Sequence, residues 1–178
     1  MLRNHQWLEN QLDLLLKKYF GDISITTPIE IQFGREAKYR FGSIKLIKGT
    51  RGIRSTKSIK SKLTNFLKAR GTHGTLDTRD TRLKPSEVPQ KSIITITSMF
   101  AKQDVPVKVV EYTIAHELCH YAHGFSSSNK RLFKFPHHGG VVNAELTRRG
   151  AGDLIVAYKK WLKTYRRAIL KKRVDLRV

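Results

Sequence analysis

The sequence predicts an α+β protein in which a small sheet of about three strands packs against one central helix, with further helices at the N- and C-terminal ends. Three observations carry this. Residues 92–98, Ser-Ile-Ile-Thr-Ile-Thr-Ser, form the segment richest in β-branched side chains. Residues 105–124 form a long, nearly uncharged stretch in which Glu111 and Glu117 are the only charged side chains between positions 109 and 122. Residues 5–20 and 153–174 carry apolar stripes at helical spacing. At 178 residues the chain is long enough for one domain with a substantial core and short for two, so residues 1–178 read as a single domain.

Taken in order, Leu8, Leu12, Leu15, Leu16 and Tyr19 share one face of the first helix, Gly21 ends it, and Trp7 and Phe20 are placed to staple it to a core. After Pro28, residues 29–33 alternate as a strand does; Gly34 and Arg35 turn the chain, and residues 39–47 read as the hairpin partner. From about 48 to 90 the pattern changes. Lys48 to Arg70 holds many cations and no acidic residue, and Gly, Pro, Ser and Thr fill much of the remainder, so the segment reads as a basic loop insertion. The strand at 92–98 then leads through Phe100 and Pro106 into the central helix. A short helix follows over 140–149. Asp153 is placed to cap a last helix whose apolar stripe, Leu154, Tyr158, Trp161, Tyr165 and Ile169, lies opposite a row of lysines and arginines.

The central helix carries His116-Glu117-Leu118-Cys119-His120. Residues four apart share a helical face, so two imidazoles can meet one metal ion, while Glu117, one step around the turn, lies beside that ion as an acid/base rather than on it. The other explanation is a packed helix whose histidines bond to backbone carbonyls. A catalytic zinc takes three protein ligands and keeps one position open. His123, two turns beyond His116 on the same rod, cannot complete the set. The chain then makes a polar turn and returns with His137 and His138, while Glu145 remains as a further candidate. The lone Cys119 excludes an internal disulfide and reads as a small apolar packer.

The order His-Glu-Leu-x-His, a loop, then His-Gly opening another helix resembles the SprT-like zinc metallopeptidases. The resemblance spans about residues 25–150, apart from the insertion, and implies a small zincin-like domain. By position it implies a single Zn2+ held by His116, His120 and His138, with Glu117 as general acid/base and His137 as a neighbour that orients substrate or a ligand. It implies a metalloendopeptidase whose substrates are proteins bound or crosslinked to DNA, a role in DNA repair. It also implies that a strand beside the cleft, for which 40–47 is the candidate, offers its edge to substrate. Two departures stand out. Gly140, Val141 and Val142 occupy positions where many members are bulkier or aromatic, and one cysteine is too few for the zinc ribbon of bacterial members, so no second zinc is expected.

Lysine and arginine number 35 against 14 acidic residues, a net charge of +21. Solubility does not require so much, and a polyanion such as DNA is the expected partner, bound through phosphates with weak sequence preference. Arg51, Arg54, Lys57 and Lys60 in the insertion, with Lys160, Lys163 and Arg167 on the last helix, are the candidate contacts. No apolar run spans a membrane and no signal peptide is evident, which points to a cytoplasmic, nucleoid-associated protein, taken as a monomer. The rival function is a nucleic-acid-binding protein with a non-catalytic metal site; a third is a zinc peptidase of free peptides.

Overall fold

A computed structural model describes residues 2–48 and 90–175, with side chains to residue 171. The basic insertion, including Arg51, Arg54, Lys57 and Lys60, lies outside the described residues. The elements are α1 (His5–Tyr19), β1 (Ile29–Gly34), β2 (Gly42–Ile47), β3 (Lys91–Thr97), a 3-10 turn (Ser98–Ala101), α2 (Val107–Ala122), a second 3-10 turn (His138–Gly140), α3 (Val141–Arg148) and α4 (Gly152–Asp175). The α+β class is therefore observed, with a three-stranded mixed sheet.

The centre of the sheet is β3, the segment whose β-branched content marked it out. It pairs parallel with β1 and antiparallel with β2, giving the order β1-β3-β2. Ile94 and Ile96, both fully buried, alternate with partly exposed neighbours, so one face of the strand belongs to the core. Each such side chain stabilises the fold by roughly 1.5–3 kcal/mol.

This arrangement corrects one expectation: β1 and β2 are not a hairpin, because β3 lies between them. The reason is local. Residues 35–41 are long enough to step across one strand, about 10 Å at the spacing of a sheet, and Thr97 at the end of β3 holds them there. Its hydroxyl accepts a hydrogen bond from the Ala37 amide at 2.9 Å, and its own amide donates to Phe41 O at 2.9 Å. The sequence pattern marks two strands and a turn but not a third strand arriving later to separate them.

The helices are fixed by specific end contacts. Asn4 caps α1 by accepting from the Trp7 amide, and Leu8, Leu12 and Leu15 are buried beneath it. The Arg3 guanidinium donates to Phe100 O and Val105 O, which ties the chain start to the entry of α2. At the other end of α1, Arg149 bonds Tyr19 O, Asp22 and Glu145 and lies over the Phe20 ring. The last helix, starting one residue earlier than expected so that Asp153 stands in its first turn, packs on α2. Its Tyr158, Trp161 and Tyr165 surround Phe41, with Phe41 and Trp161 ring centres 5.4 Å apart in an edge-to-face pair. Helices α1 and α2 thus cover the sheet, and α4 closes against α2 and the β1–β2 connection. No helix among the described residues is long and apolar enough to cross a membrane.

Candidate metal centre

Most of α2 is buried, including Tyr112, Thr113, Ile114, Ala115, Leu118 and Cys119. The low charge of this stretch is explained by that burial, and Cys119 is a fully buried free thiol whose pKa burial pushes up to about 12. Its position fits the expected packing role. His116 and His120 stand on consecutive turns of one face, ring centres 4.8 Å apart.

The chain then reverses at Gly124. Its φ of +76° is left-handed, and a Cβ there would stand 2.6 Å from Lys130 O and 2.7 Å from Asn129 O, so only glycine lets the return loop close this tightly. Leu132 donates to His123 O at 3.1 Å, and the loop returns His137 to the helical pair. The His137 ring lies 5.2 Å from that of His116 and 4.6 Å from that of His120. One ligand nitrogen from each of the three lies within 4.8 Å of the others, close enough to hold one metal ion. A tetrahedral ion with bonds of about 2.0–2.1 Å needs nitrogens about 3.4 Å apart, so the three side chains would close on one another to hold it.

The third imidazole therefore comes from His137, not from the expected His138. The two neighbours diverge because His138 opens a 3-10 turn, and Gly139 and Gly140, at φ +65° and +70°, swing the chain away toward α3. His138 is exposed, its ring 6.3 Å from that of Phe135. Glu145 is likewise no ligand here: its carboxylate accepts from Arg148 and Arg149, which hold it below the ordinary carboxylate range against its partial burial.

Burial has its expected electrical effect. Desolvation, reinforced by the neighbouring imidazoles, pushes His116 down to about 3 and His120 down to about 4. Both rings are neutral at pH 7, the state a metal requires. The Nδ1 atoms of His116, His120 and His123 are buried without a hydrogen-bond partner among the described residues. Histidines held through Nδ1 by backbone carbonyls would not leave these atoms unpaired; His123, outside the cluster, shares the feature, so it is the convergence of the His116 and His120 rings with His137 that fits an ion.

Glu117 lies on the neighbouring flank of the same turn, only 6% exposed. Burial raises its carboxyl to about 7, opposed by Arg40 and by a hydrogen bond from the Ile44 amide. Gly42 makes this proximity possible, since a Cβ there would stand 2.9 Å from Glu117 Oε1 and 2.7 Å from Thr113 Cγ2. The strand β2 is thus pressed directly against the carboxylate.

Around these groups opens a cleft of about 570 Å³. Its walls are Tyr39, Arg40, Gly42 and Ile44 on the β2 side, Tyr112 and Thr113 on α2, Phe125, Ser126 and Arg131 on the return loop, and Tyr158 on α4. Comparison with protein-family models, curated proteins and solved structures finds no match.

Tyr39, Arg131 and Tyr158 were not legible as site residues, because three separate segments bring them to the cleft; Arg40 opens the 40–47 stretch expected beside it. Tyr121, next to His120 in sequence, is fully buried and serves the scaffold: its hydroxyl donates to Thr27 O at 2.9 Å and accepts from the Thr27 amide at 3.0 Å. His123 is buried too, its ring 4.8 Å from Phe133, and does not line the cleft. On α4, Lys160, Lys163 and Arg167 are exposed, as a solvent-facing basic side requires.

Proposed function

We propose that the protein is a zinc-dependent peptide hydrolase of the SprT-like, zincin-like kind, acting on proteins associated with DNA. The observation that carries this is the convergence of His116, His120 and His137 in an open cleft beside the buried carboxyl of Glu117. The donor set is three imidazoles, which suits zinc and leaves a coordination position open. When bound, the ion supplies Lewis acidity toward water and toward a substrate carbonyl.

The protein's own groups supply the rest. Glu117, held near neutrality by burial and drawn down by a nearby cation, takes a proton from the attacking water and delivers it to the leaving nitrogen. Among the described residues no strand pairs with the outer edge of β2, which can position an extended peptide. Phe41 O accepts from Thr97 on the inner side, so by the alternation of an antiparallel ladder Gly42 and Ile44 turn their backbone groups outward. Ile44 N–H meets Glu117 and Ile44 O accepts from Ser126, which leaves the Gly42 end of the edge facing the cleft. Tyr112, whose hydroxyl burial keeps protonated by pushing its pKa up to about 12, donates to Asn143 and braces the wall beside His116. Arg40 and Arg131 give the cleft walls positive charge.

The net charge of +21 and the exposed cations of α4 support a substrate presented on a polyanion, with tethering supplying the selectivity that a short cleft lacks. The test is Glu117→Gln in the purified protein. The variant is expected to hold as much zinc as the parent while losing cleavage of a DNA-bound protein substrate by at least about 100-fold, as befits loss of general acid/base action. Undiminished cleavage by that variant removes Glu117 from the chemistry. Salt-dependent DNA binding with no chelator-sensitive cleavage by either protein would favour a binding protein with a silent metal site.

A further inference from the structure

The return loop carries a second feature that the metal centre does not use. Residues 130–135 read Lys-Arg-Leu-Phe-Lys-Phe, with cations and apolar side chains interleaved, and no acidic residue occurs between Glu117 and Glu145. Leu132 is 60% exposed, Phe133 40% and Phe135 54%. Among the described residues these are the only exposed phenylalanines. A folded protein gains by covering such rings, and here they stand in water beside Lys130, Arg131 and Lys134, all exposed.

The segment is also braced. Arg131 donates to Phe133 O at 3.1 Å and to Lys134 O at 2.8 Å, while its guanidinium lies 4.6 Å from the centre of the Phe125 ring. Phe133 rests edge-on against buried His123, and Phe135 has the His138 ring at 6.3 Å and the Lys134 ammonium at 5.4 Å. Flat rings held by a self-bonded loop, with cations between them, match the two requirements of single-stranded nucleic acid: π-faces for unstacked bases and positive charge for phosphates. A duplex offers no free base faces to such rings. A membrane-surface segment would instead separate its apolar and basic side chains onto two sides of a helix, which this loop does not do.

We propose that residues 130–135 form a stacking platform for single-stranded nucleic acid, immediately before the residue that completes the metal centre. His138, left out of the histidine cluster, supplies a further ring beside Phe135. The proposal concerns binding alone, so failure of the hydrolytic reading leaves it standing, and its own failure leaves hydrolysis untouched.

The experiment is a fluorescence-anisotropy titration of the full-length protein with a labelled oligothymidylate of about 20 nucleotides and with a duplex of the same length, at low and at physiological salt. Phe133→Ala with Phe135→Ala is expected to weaken single-strand binding by about 10-fold or more and to leave duplex binding within about 2-fold. Phe133→Tyr with Phe135→Tyr keeps the π-faces and should retain binding. Lys130→Ala with Lys134→Ala should weaken both ligands and flatten the salt dependence. Three results would overturn the proposal: no single-strand binding by the parent protein, unchanged affinity in an alanine pair that circular dichroism shows to be folded, or an equal loss on single strands and duplex. A loss seen only with phosphatidylserine vesicles would also overturn it and make the loop a membrane contact.

Discussion

Replacing His137 by alanine separates the geometry found here from the one that the family resemblance implies. His137 is exposed and, among the described residues, its ring contacts are with His116 and His120, so its truncation should leave the fold intact. What it removes is one of three converging nitrogens. Removing a residue that merely supports a metal ligand typically costs 10–100-fold in metal affinity, so loss of a ligand should cost at least the upper end of that range, more than about 100-fold or about 2.7 kcal/mol. His138→Ala removes an exposed ring outside the cluster and should change affinity by less than about 3-fold, under about 0.7 kcal/mol. Competition for zinc against a chromophoric chelator, run on parent and both variants at one pH, reads this directly. A His138→Ala loss larger than that of His137→Ala would refute the placement of the return loop.

Three further outcomes follow from the same geometry. Gly42→Ala puts a methyl group against Thr113 and Glu117 Oε1; the overpacking should cost about 1–3 kcal/mol in urea unfolding, and displacement of Glu117 should lower kcat while zinc content holds. Gly124→Ala combines a left-handed backbone, roughly 1–2 kcal/mol for a non-glycine residue, with contact against two carbonyls, and should loosen the loop that carries His137, seen as weaker zinc binding. The metal-stripped protein should also be acid-sensitive. The folded-state pKa of His116, about 3, lies below its ordinary 6.5, so the unfolded chain binds the proton first; this stability is fully present above pH 6.5 and is lost as the pH falls toward 3. At pH 5 the loss is up to about 2 kcal/mol, and denaturant unfolding of His116→Gln should show a correspondingly smaller change between pH 7 and 5.

Local signals survived into the structure where a single element decides the outcome. The period of a helix alone places His116 and His120 on one face with Glu117 beside them, and β-branched content alone marks β3. Signals failed where the outcome depends on a later part of the chain. The pairing of β1 and β2 was undone by β3, whose Thr97 fastens the intervening loop across its own end. The choice between two adjacent histidines rests on the backbone after them, where Gly139 and Gly140 turn left-handed, and no side-chain pattern at 137 and 138 records that. Tyr121 adjoins His120 in sequence, yet the turn of the helix directs it into the Thr27 network. Tyr39, Arg131 and Tyr158 reach the cleft from a strand connection, a loop and a distant helix, which only the tertiary arrangement discloses.

The central claim is that three particular imidazoles share one ion. Crystals of the zinc-loaded protein, measured on both sides of the zinc absorption edge, should give one anomalous peak at about 2.0–2.1 Å from a nitrogen of each of His116, His120 and His137, with the Glu117 carboxylate beside it and His138 turned away. A peak bonded to His138 in place of His137, or no peak between the helix pair and the return loop, would contradict the account.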